Sequence, residues 1–498
     1  MMSLNDTLKT RGAAMERYVN DVKKLKELFH FPDNQDVIFR EVSCADFRLC
    51  VIQIDGMTRS SAVEDFILRA AQSVEQGVSS ANRLDFLLKR CFSVGQVKKT
   101  SDLQEIVSSV LSGMAAAIVE GADEAALMDV RGFEHRAVSQ SMNESVVLGS
   151  QEGFVESLRT NLTLLHRYLQ TPDFMVEFVT AGTKAPLKIA LLSLRGVTDE
   201  SALSEARRRI ADLKIEAIHG AGHLQQLIED NPMAVTPQML MTERPDRAVA
   251  ALTAGQFVIL ADTSCYALIA PCCLFALLQS SDDAFARWQH GSYMRVVRMI
   301  GTLFALLLPG LYVALTTYHT HLIPMALLSS IAETRVNVPF PVLFEVAIME
   351  VSFFMIHEAN LRIPSQIGAS IGIVGALVLG QAAAEASVIS PILIIIIALS
   401  GLGCYCMPNY AMTVSLILYR LILVVLSAAL GLYGITLGLF LSLCQLSALR
   451  SFGVPYLAPL APKRPHNPDL LIRCPAKWQR DRMFFAGRKK GAHVRKWN

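Results

Sequence analysis

Carboxylates that interrupt long apolar stretches are the residues of this chain best suited to chemistry. Glu345, Glu350 and Glu385 lie in the segment 296–449, where nine of 154 residues are charged. A charged side chain at the centre of a bilayer costs about 3 kcal/mol or more, so it usually faces water or a partner of opposite charge. We therefore interpret these glutamates as candidates for lining a pore or a gate.

Helical spacing groups these carboxylates with polar neighbours. Glu350 and His357 are seven residues apart, and Gln381 and Glu385 are four apart, so each pair shares one face of a helix. A ring of glutamates contributed by several subunits attracts cations and repels anions. The alternative is that the glutamates lie at the lipid headgroups or pair with one of three arginines, namely Arg335, Arg362 and Arg420.

Two apolar patterns accompany the charges. Small residues recur every fourth position at Gly368, Gly372, Ala376, Gly380 and Ala384. Such a ridge lets helix backbones approach closely, which predicts a packing face. Ile394 and Ile397 bound a wholly apolar run in the next segment, and one such residue can close a channel by dewetting. A core or lipid-facing position is the alternative for each isoleucine.

Catalytic and metal-binding signals are weak. His357-Glu358 lacks the second histidine of a zinc protease motif, and there is no phosphate-binding glycine loop. The run from Tyr318 to His321 is better explained by a position at a membrane surface than by metal binding. The ten cysteines have no zinc-site spacing and are interpreted as reduced thiols. We predict no enzyme activity, no metal and no cofactor.

The charge distribution predicts a membrane domain. Four stretches are uncharged, at 299–318, 363–384, 386–419 and 421–449, and each has the roughly 20 residues that a spanning helix needs. From Arg450 onward, twelve Lys or Arg stand against two Asp, which predicts a cytoplasmic tail. The charged N-terminus has no signal peptide and is expected on the same side, so the spans are even in number, four or six. A net charge of +2 gives no case for nucleic acid.

The first half of the chain alternates predicted strands and helices, which is typical of small α/β units. The predicted fold is thus an α-helical polytopic membrane domain preceded by a cytoplasmic α/β region of two small subdomains. We expect an apolar strand at 47–54, a hairpin around Gly121, two strands flanking Gly182 and a strand pair at 256–270. The predicted domains are a first subdomain at 1–135, a second at 151–240, a strand pair and pre-membrane connector at 241–295, the membrane domain at 296–449 and a basic tail at 450–498.

Long, ordered motifs make the chain resemble a known family. They include TERPDR at 242–247, the proline- and glutamate-containing segment at 337–364 and FGVPYLAP at 452–459. Together with matching stretches at 153–169, 259–271 and 372–390, they resemble the A subunits of bacterial spore germination receptors, the GerA family. The motif residues singled out are Glu243, Arg244, Asp246, Arg247, Pro339, Pro341, Arg362 and Pro364. Pro339, Pro341 and Pro364 bracket the glutamate-bearing segment and are expected to fix its ends, because proline limits helix continuation.

The resemblance implies a subunit of the spore inner membrane with cytoplasmic termini. It implies a homo-oligomeric, ring-shaped cation channel that opens when nutrient is sensed, together with a transporter-like B subunit that binds the nutrient and a lipoprotein C subunit. One departure is the run Thr263-Ser264-Cys265-Tyr266, where the family usually has a small residue followed by Pro-Phe.

Three alternatives stay open at this point. The sister stage V sporulation AF proteins share the same motifs. A scaffold or accessory role in dipicolinate release needs no conduction. A secondary amino-acid transporter also uses intramembrane glutamates and broken helices, although no paired inverted halves are visible in the sequence.

Overall fold

Apolar strands alternating with amphipathic helices build the first half of the chain into two five-stranded antiparallel sheets. The structure, a computed structural model, describes residues 4–44, 47–74, 83–132, 144, 146–362, 381–382, 384–462 and 472–478. The described chain divides into two units: an α/β unit of residues up to 229 together with 239–271, and a helical unit of 230–238 together with residues from 272 onward.

The first sheet has the strand order β1-β2-β4-β5-β3. Its central strand β4 (AAAIV) is buried on both faces, and the hairpin to β5 turns at Gly121 with φ 87°. The strand predicted at 47–54 and the predicted hairpin both form. The elements are α1 (Leu4–Leu28), β1 (Val37–Ser43), β2 (Arg48–Ile54), α2 (60–72), α3 (83–91), β3 (Val97–Thr100), α4 (Leu103–Leu111), β4 (Ala115–Val119) and β5 (Ala125–Met128).

The second sheet has the order β6-β7-β9-β10-β8. The two strands predicted around Gly182 pair as β6 and β7, and the strand pair predicted at 256–270 forms as β9 and β10. Because β9 also pairs with β7, this sheet extends past residue 240 and takes in the strand pair. The elements are α5 (Leu158–Tyr168), β6 (Phe174–Ala181), β7 (Leu187–Leu194), α6 (Glu200–Ala211), α7 (Ala221–Ile228), β8 (Leu240–Thr242), α8 (Pro245–Thr253), β9 (Phe257–Ala261) and β10 (Ala267–Ala270).

A short segment of the first subdomain covers the exposed edge of the second sheet. The backbone N–H of Gln35 donates to the carbonyl of Val176 (3.1 Å), and the Asn34 amide donates to the carbonyl of Phe174 (3.0 Å). The side chain of Gln35 accepts from the N–H of Phe178 (2.8 Å). These bonds satisfy backbone groups of the edge strand β6, which would otherwise be open to pairing with another chain.

The helical unit is built from apolar helices. Among the described residues, two helices, α11 and α15, are long and apolar enough to cross a membrane, and α14 and α16 are shorter apolar helices. Gly431, which has φ 63°, separates α15 from α16. The helices are α9 (Leu274–Leu278), α10 (Asp282–Phe285), α11 (Trp288–Thr317), α12 (Met325–Arg335), α13 (Val342–Arg362), α14 (Pro391–Tyr405), α15 (Tyr410–Leu430) and α16 (Leu432–Ala448), followed by a hairpin of β11 (Arg450–Ser451) and β12 (Val454–Pro455).

Helix α11 contacts both α14 and α15 along its apolar half. Their shared core includes Tyr312, Val346, Leu393, Ile397 and Val424, each buried. Burying such side chains contributes about 1.5–3 kcal/mol apiece relative to leaving them in water. The same residues fix the positions of the polar groups described next.

Candidate functional site: ionic contacts within the helical unit

Glu350 is held in a buried ion pair. The guanidinium of Arg420, on α15, donates from Nη2 to Glu350 Oε2 on α13 at 2.6 Å. The two side chains are 5% and 2% exposed, respectively. Arg420 Nη1 also donates to Ser400 Oγ on α14 (2.8 Å), and Ser400 in turn donates to the carbonyl of Ala305 on α11 (3.0 Å). One guanidinium therefore links four helices.

Each side chain of this ion pair has one polar atom that is not hydrogen-bonded to any described residue. Glu350 Oε1 and Arg420 Nε are buried and have no hydrogen-bond partner among the residues that the structure describes. Burying two charges is expensive, and removing one of them leaves the other uncompensated. The geometry therefore favours, for Glu350, the alternative in which an arginine of the same chain neutralises the carboxylate.

Glu345 lies one and a half turns earlier on α13 and is fully buried. Its Oε1 accepts from Arg335 Nη2 of α12 (3.1 Å), and its Oε2 accepts from the backbone N–H of Ser390 (3.1 Å). Ser390 directly precedes α14, so this carboxylate caps that helix and fixes its start. The arrangement again matches the arginine-pairing alternative.

Glu385 differs from the other two glutamates. It is exposed, and its carboxylate accepts a hydrogen bond from the Gln381 amide at 3.0 Å, as their spacing on one helical face predicts. Ile397 is 2% exposed in the core shared with α11, and Ile394 is partly buried against the same core. A pore role for any of these residues stays a prediction.

Several predicted site residues lie outside the described residues. These are Gly368, Gly372, Ala376, Gly380 and Pro364, and the side chain of Arg362 at the end of α13 is likewise undescribed. Pro339 and Pro341 are exposed. Helix α13 begins directly after Pro341, whose carbonyl accepts the first helical hydrogen bonds, as expected of a proline at a helix start.

The TERPDR motif forms a buried junction in the α/β unit. Arg244 is fully buried and makes a two-pronged contact with Asp246, at 2.6 and 3.0 Å. Arg244 also donates to the carbonyl of Ser150 (2.8 Å), and Arg247 binds the carboxylate of Glu144 (2.7 Å). The backbone carbonyl of Glu243 accepts from the N–H of Phe154 (2.7 Å). The motif therefore fixes the segment that enters the second subdomain.

A cavity of about 640 Å³ lies in the same unit. Its lining mixes three carboxylates, two cations and an apolar wall, which suits a small polar molecule more than a lipid. Four of the five charges are already engaged, since Arg159 pairs with Asp55, His166 contacts Asp36, and Asp262 accepts from the N–H of Leu158. The lining residues include Asp36, Asp55, Asp262, Arg159, Lys188, Leu162 and Phe178.

Sequence reasoning missed a polar cluster at the start of α11. Arg295 and Arg298 both donate to the carboxylate of Asp283 (3.1 and 3.0 Å). Burial alone raises the pKa of Asp283, but the hydrogen bonds and charges of the two arginines outweigh it and lower the pKa. Arg473 of the basic tail donates to the carbonyls of Ala284 and Ala286 (2.8 and 2.7 Å). The signal in the sequence was the acidic pair in QSSDDAFARW, twelve residues before Arg295.

The chain thus has two parts: an α/β unit with two antiparallel sheets, and a helical unit with two candidate membrane spans and buried glutamate–arginine pairs among its described residues. Comparison with known proteins identifies the group. The family model described as Bacillus/Clostridium GerA spore germination protein matches residues 23–484. The chain belongs to the GerA family.

Relatives match over most of their length. Spore germination protein KA of Bacillus subtilis is 34% identical over 446 residues, covering 89% of this chain and 82% of that protein. Spore germination protein GerLA of Bacillus cereus is 32% identical, covering 93% and 94%. The uncharacterized membrane protein YfkQ of Bacillus subtilis is 32% identical, covering 88% and 86%.

One solved structure matches about half of the chain. It is the N-terminal domain of the A subunit of the Bacillus megaterium spore germinant receptor GerK3, with 24% identity and a TM-score of 0.40. The match covers 50% of this chain and 92% of that domain.

Proposed function

We propose that this chain is the A subunit of a spore germinant receptor and that it forms a nutrient-gated cation channel as a homo-oligomer. The observation that carries the proposal is the agreement between family membership over 23–484 and a helical unit whose described residues include two helices of spanning length and composition. A role in spore germination receptors follows from the relatives, several of which are named spore germination proteins. Cation conduction by the helical unit is the part of the proposal that goes beyond the names of the relatives.

The helical unit is proposed to lie in the spore inner membrane as a multi-pass domain with cytoplasmic termini. Two observations support this. Helices α11 and α15 have spanning length and apolar composition, and large apolar side chains on them are exposed, including Leu303, Phe304, Leu418 and Val425. Exposed apolar surface of this extent needs a covering, and lipid is the covering that suits helices without exposed charges along their middle.

Within this proposal the three glutamates take different roles. Glu345 and Glu350 neutralise arginines and hold helices together, whereas Glu385 is the exposed carboxylate and has an amide rather than an arginine as its described hydrogen-bond partner. A carboxylate that is exposed in one subunit can join a ring when subunits assemble, and such a ring selects cations. We therefore place Glu385 and Gln381 on the conduction path, with Ile394 as the candidate for the apolar constriction.

The proposed partners are a transporter-like B subunit that binds the nutrient and a lipoprotein C subunit. Their signal would shift the oligomer between closed and open states, because a ligand changes a two-state equilibrium by its difference in affinity for the two states. A stage V sporulation AF role, a non-conducting scaffold for dipicolinate release and an amino-acid transporter are the competing outcomes of the test.

The test compares ion currents in planar bilayers containing the purified complex. We expect cation-selective, channel-sized currents, and we expect Glu385→Gln to reduce the preference for cations over anions. Glu333→Gln is the matched control, since Glu333 is an exposed glutamate on α12. Solute-coupled flux would favour the transporter, and silent bilayers from a correctly assembled complex would favour the scaffold. Either outcome contradicts the channel.

A further inference from the structure

The loop that follows α7 in the sequence belongs to the helical unit, although the residues on both sides of it belong to the α/β unit. After α7 the chain leaves the α/β unit at Asp230 and re-enters it at Met239. We call residues 230–238 the connector loop. Its ends are held together by Gln238, whose side chain accepts from the N–H of Asn231 (3.0 Å) and donates to the carbonyl of the same residue (2.6 Å). The loop is therefore a closed, defined structure.

Three hydroxyl groups hold the backbone of the connector loop. Ser415 Oγ on α15 donates to the carbonyl of Val235 (2.6 Å). Tyr456 Oη donates to the carbonyl of Pro237 (2.8 Å). Ser451 Oγ donates to the carbonyl of Gln238 (2.7 Å). The three donor residues are each at most 1% exposed, so their hydrogen bonds form away from water and an unpaired carbonyl there is costly.

The segment that supplies two of these hydroxyls is itself fixed. We call residues 451–456 the clamp segment. Its turn has positive φ at Phe452 (47°) and Gly453 (82°), and the N–H of Phe452 donates to the carboxylate of Asp230 (2.6 Å). The backbone of Tyr456 bonds at both ends, to Leu449 and to Leu274. A clamp with so many backbone bonds has little freedom to absorb movement of the loop.

Helix α15 joins the connector loop to the buried ion pair. Ser415 and Arg420 lie five residues apart on this helix, a rise of about 7.5 Å. A shift of the helix at Ser415 is carried to Arg420, because a hydrogen-bonded helix moves as a stiff unit over so short a length. Arg420 in turn holds Glu350 on α13 and Ser400 on α14.

We propose that Ser415 and Tyr456 are positioning residues for gating: they tie the connector loop, which is continuous with α7 and β8 of the α/β unit, to the helix that carries Arg420. This inference rests on the proposed function and adds the route by which the α/β unit acts on the helices.

The experiment uses dormant spores that carry the whole receptor complex, with a mixture of amino acids, glucose and potassium bromide as the probe. We measure the dilution of the mixture that gives half-maximal cation release, the release without nutrient, and the receptor level in the inner-membrane fraction. We expect Tyr456→Phe and Ser415→Ala to shift the half-maximal dilution, or the basal release, by roughly fivefold at equal receptor level, the effect of about one lost hydrogen bond.

Two matched controls separate coupling from simple structural damage. Ser415→Thr keeps the hydroxyl and is expected to behave as wild type. Ser442→Ala removes a half-buried hydroxyl on α16 that donates within its own helix, to the carbonyl of Gly438 (2.8 Å), and is expected to leave the dose response unchanged. If Tyr456→Phe fails to accumulate, Ser415→Ala still gives the measurement.

The outcomes separate this inference from the proposed function. Wild-type dose responses in both test variants, or lower receptor level with an unchanged response per receptor, overturn the positioning role while the channel stands. The proposed function itself is contradicted by a different result. In that case, spores that lack the chain release cations as wild-type spores do, both with this mixture and with each single nutrient.

Discussion

Two arginine–glutamate pairs show how differently the two units use the same chemistry. Arg420 and Glu350 in the helical unit are 2.6 Å apart and at most 5% exposed, whereas Arg208 and Glu205 on α6 are 2.7 Å apart and 61% and 31% exposed. The distances are nearly equal, but the surroundings are not. In the apolar interior each charge needs the other, and in water each is already solvated. Burial therefore determines how strongly the loss of one partner of an ion pair changes the stability of the protein.

The largest expected effect is the loss of Arg420. Arg420→Ala leaves the carboxylate of Glu350 buried without its partner, which should cost about 3–5 kcal/mol of stability. We expect little protein in the membrane fraction and a clearly lower thermal unfolding midpoint in detergent.

A double substitution sharpens this prediction. Glu350→Leu combined with Arg420→Met removes both charges and keeps an apolar filling, so it should recover most of the lost stability. Glu333→Gln, at an exposed site, should change neither quantity. A stable Arg420→Ala variant would break the comparison, because it would mean that water reaches Glu350.

Arg244 tests whether burial has the same effect in the α/β unit. This fully buried guanidinium binds Asp246 with two nitrogens and also binds the carbonyl of Ser150. Arg244→Lys keeps the charge but loses the planar two-pronged contact, so we expect a loss of about 2 kcal/mol. Arg195→Lys, at a half-exposed pair 3.8 Å from Asp33, is the control and should be neutral in the same thermal unfolding measurement. Equal effects of the two substitutions would contradict a burial-based ranking.

The sequence predicted local features better than long-range ones. The hairpin at Gly121 and the strands around Gly182 depend on neighbouring residues, and both formed as expected. The choice of Arg420 as the partner of Glu350 is a contact across 70 residues, and three arginines were equally plausible from spacing alone. The contact between Tyr456 and Pro237 spans 219 residues and left no periodic signal to find.

The packing of small residues illustrates the same limit. The repeat from Gly368 to Ala384 lies mostly outside the described residues, whereas a close helix approach occurs at Gly301 and Gly403. These two glycines are 102 residues apart, so neither belongs to a repeat, and each falls inside an apolar run where glycine has no local structural role. Their pairing depends on how α11 meets α14, which the sequence alone does not specify.

Gly403 gives a smaller expected effect that does not depend on charge. A Cβ at this position would lie 2.3 Å from the carbonyl oxygen of Gly301, so Gly403→Ala must push α11 and α14 apart. Overpacking of this kind costs about 1–3 kcal/mol. Gly95→Ala is the control, because no atom lies within 4 Å of the added group. We expect a lower unfolding midpoint for the first variant alone; an unchanged midpoint would show that the two helices are not tightly apposed.

The smallest expected effect is the loss of the surface carboxylate Glu205. Hydrogen bonds from Arg208 and Arg209 lower its pKa from 4.5 to about 2 in the folded chain. A lowered folded-state pKa stabilises the protein above the unfolded pKa, and this contribution disappears as the pH falls from about 4.5 towards 2. The unfolding midpoint of Glu205→Gln should therefore lie slightly below that of wild type at pH 7, and the two should converge as the pH falls to about 2. Because the carboxylate is solvated, the difference at pH 7 should stay well below that for Arg420→Ala. A large difference, or one that persists at pH 2, would show that Glu205 acts through packing rather than through its charge, and the contrast between the two units would then need another explanation.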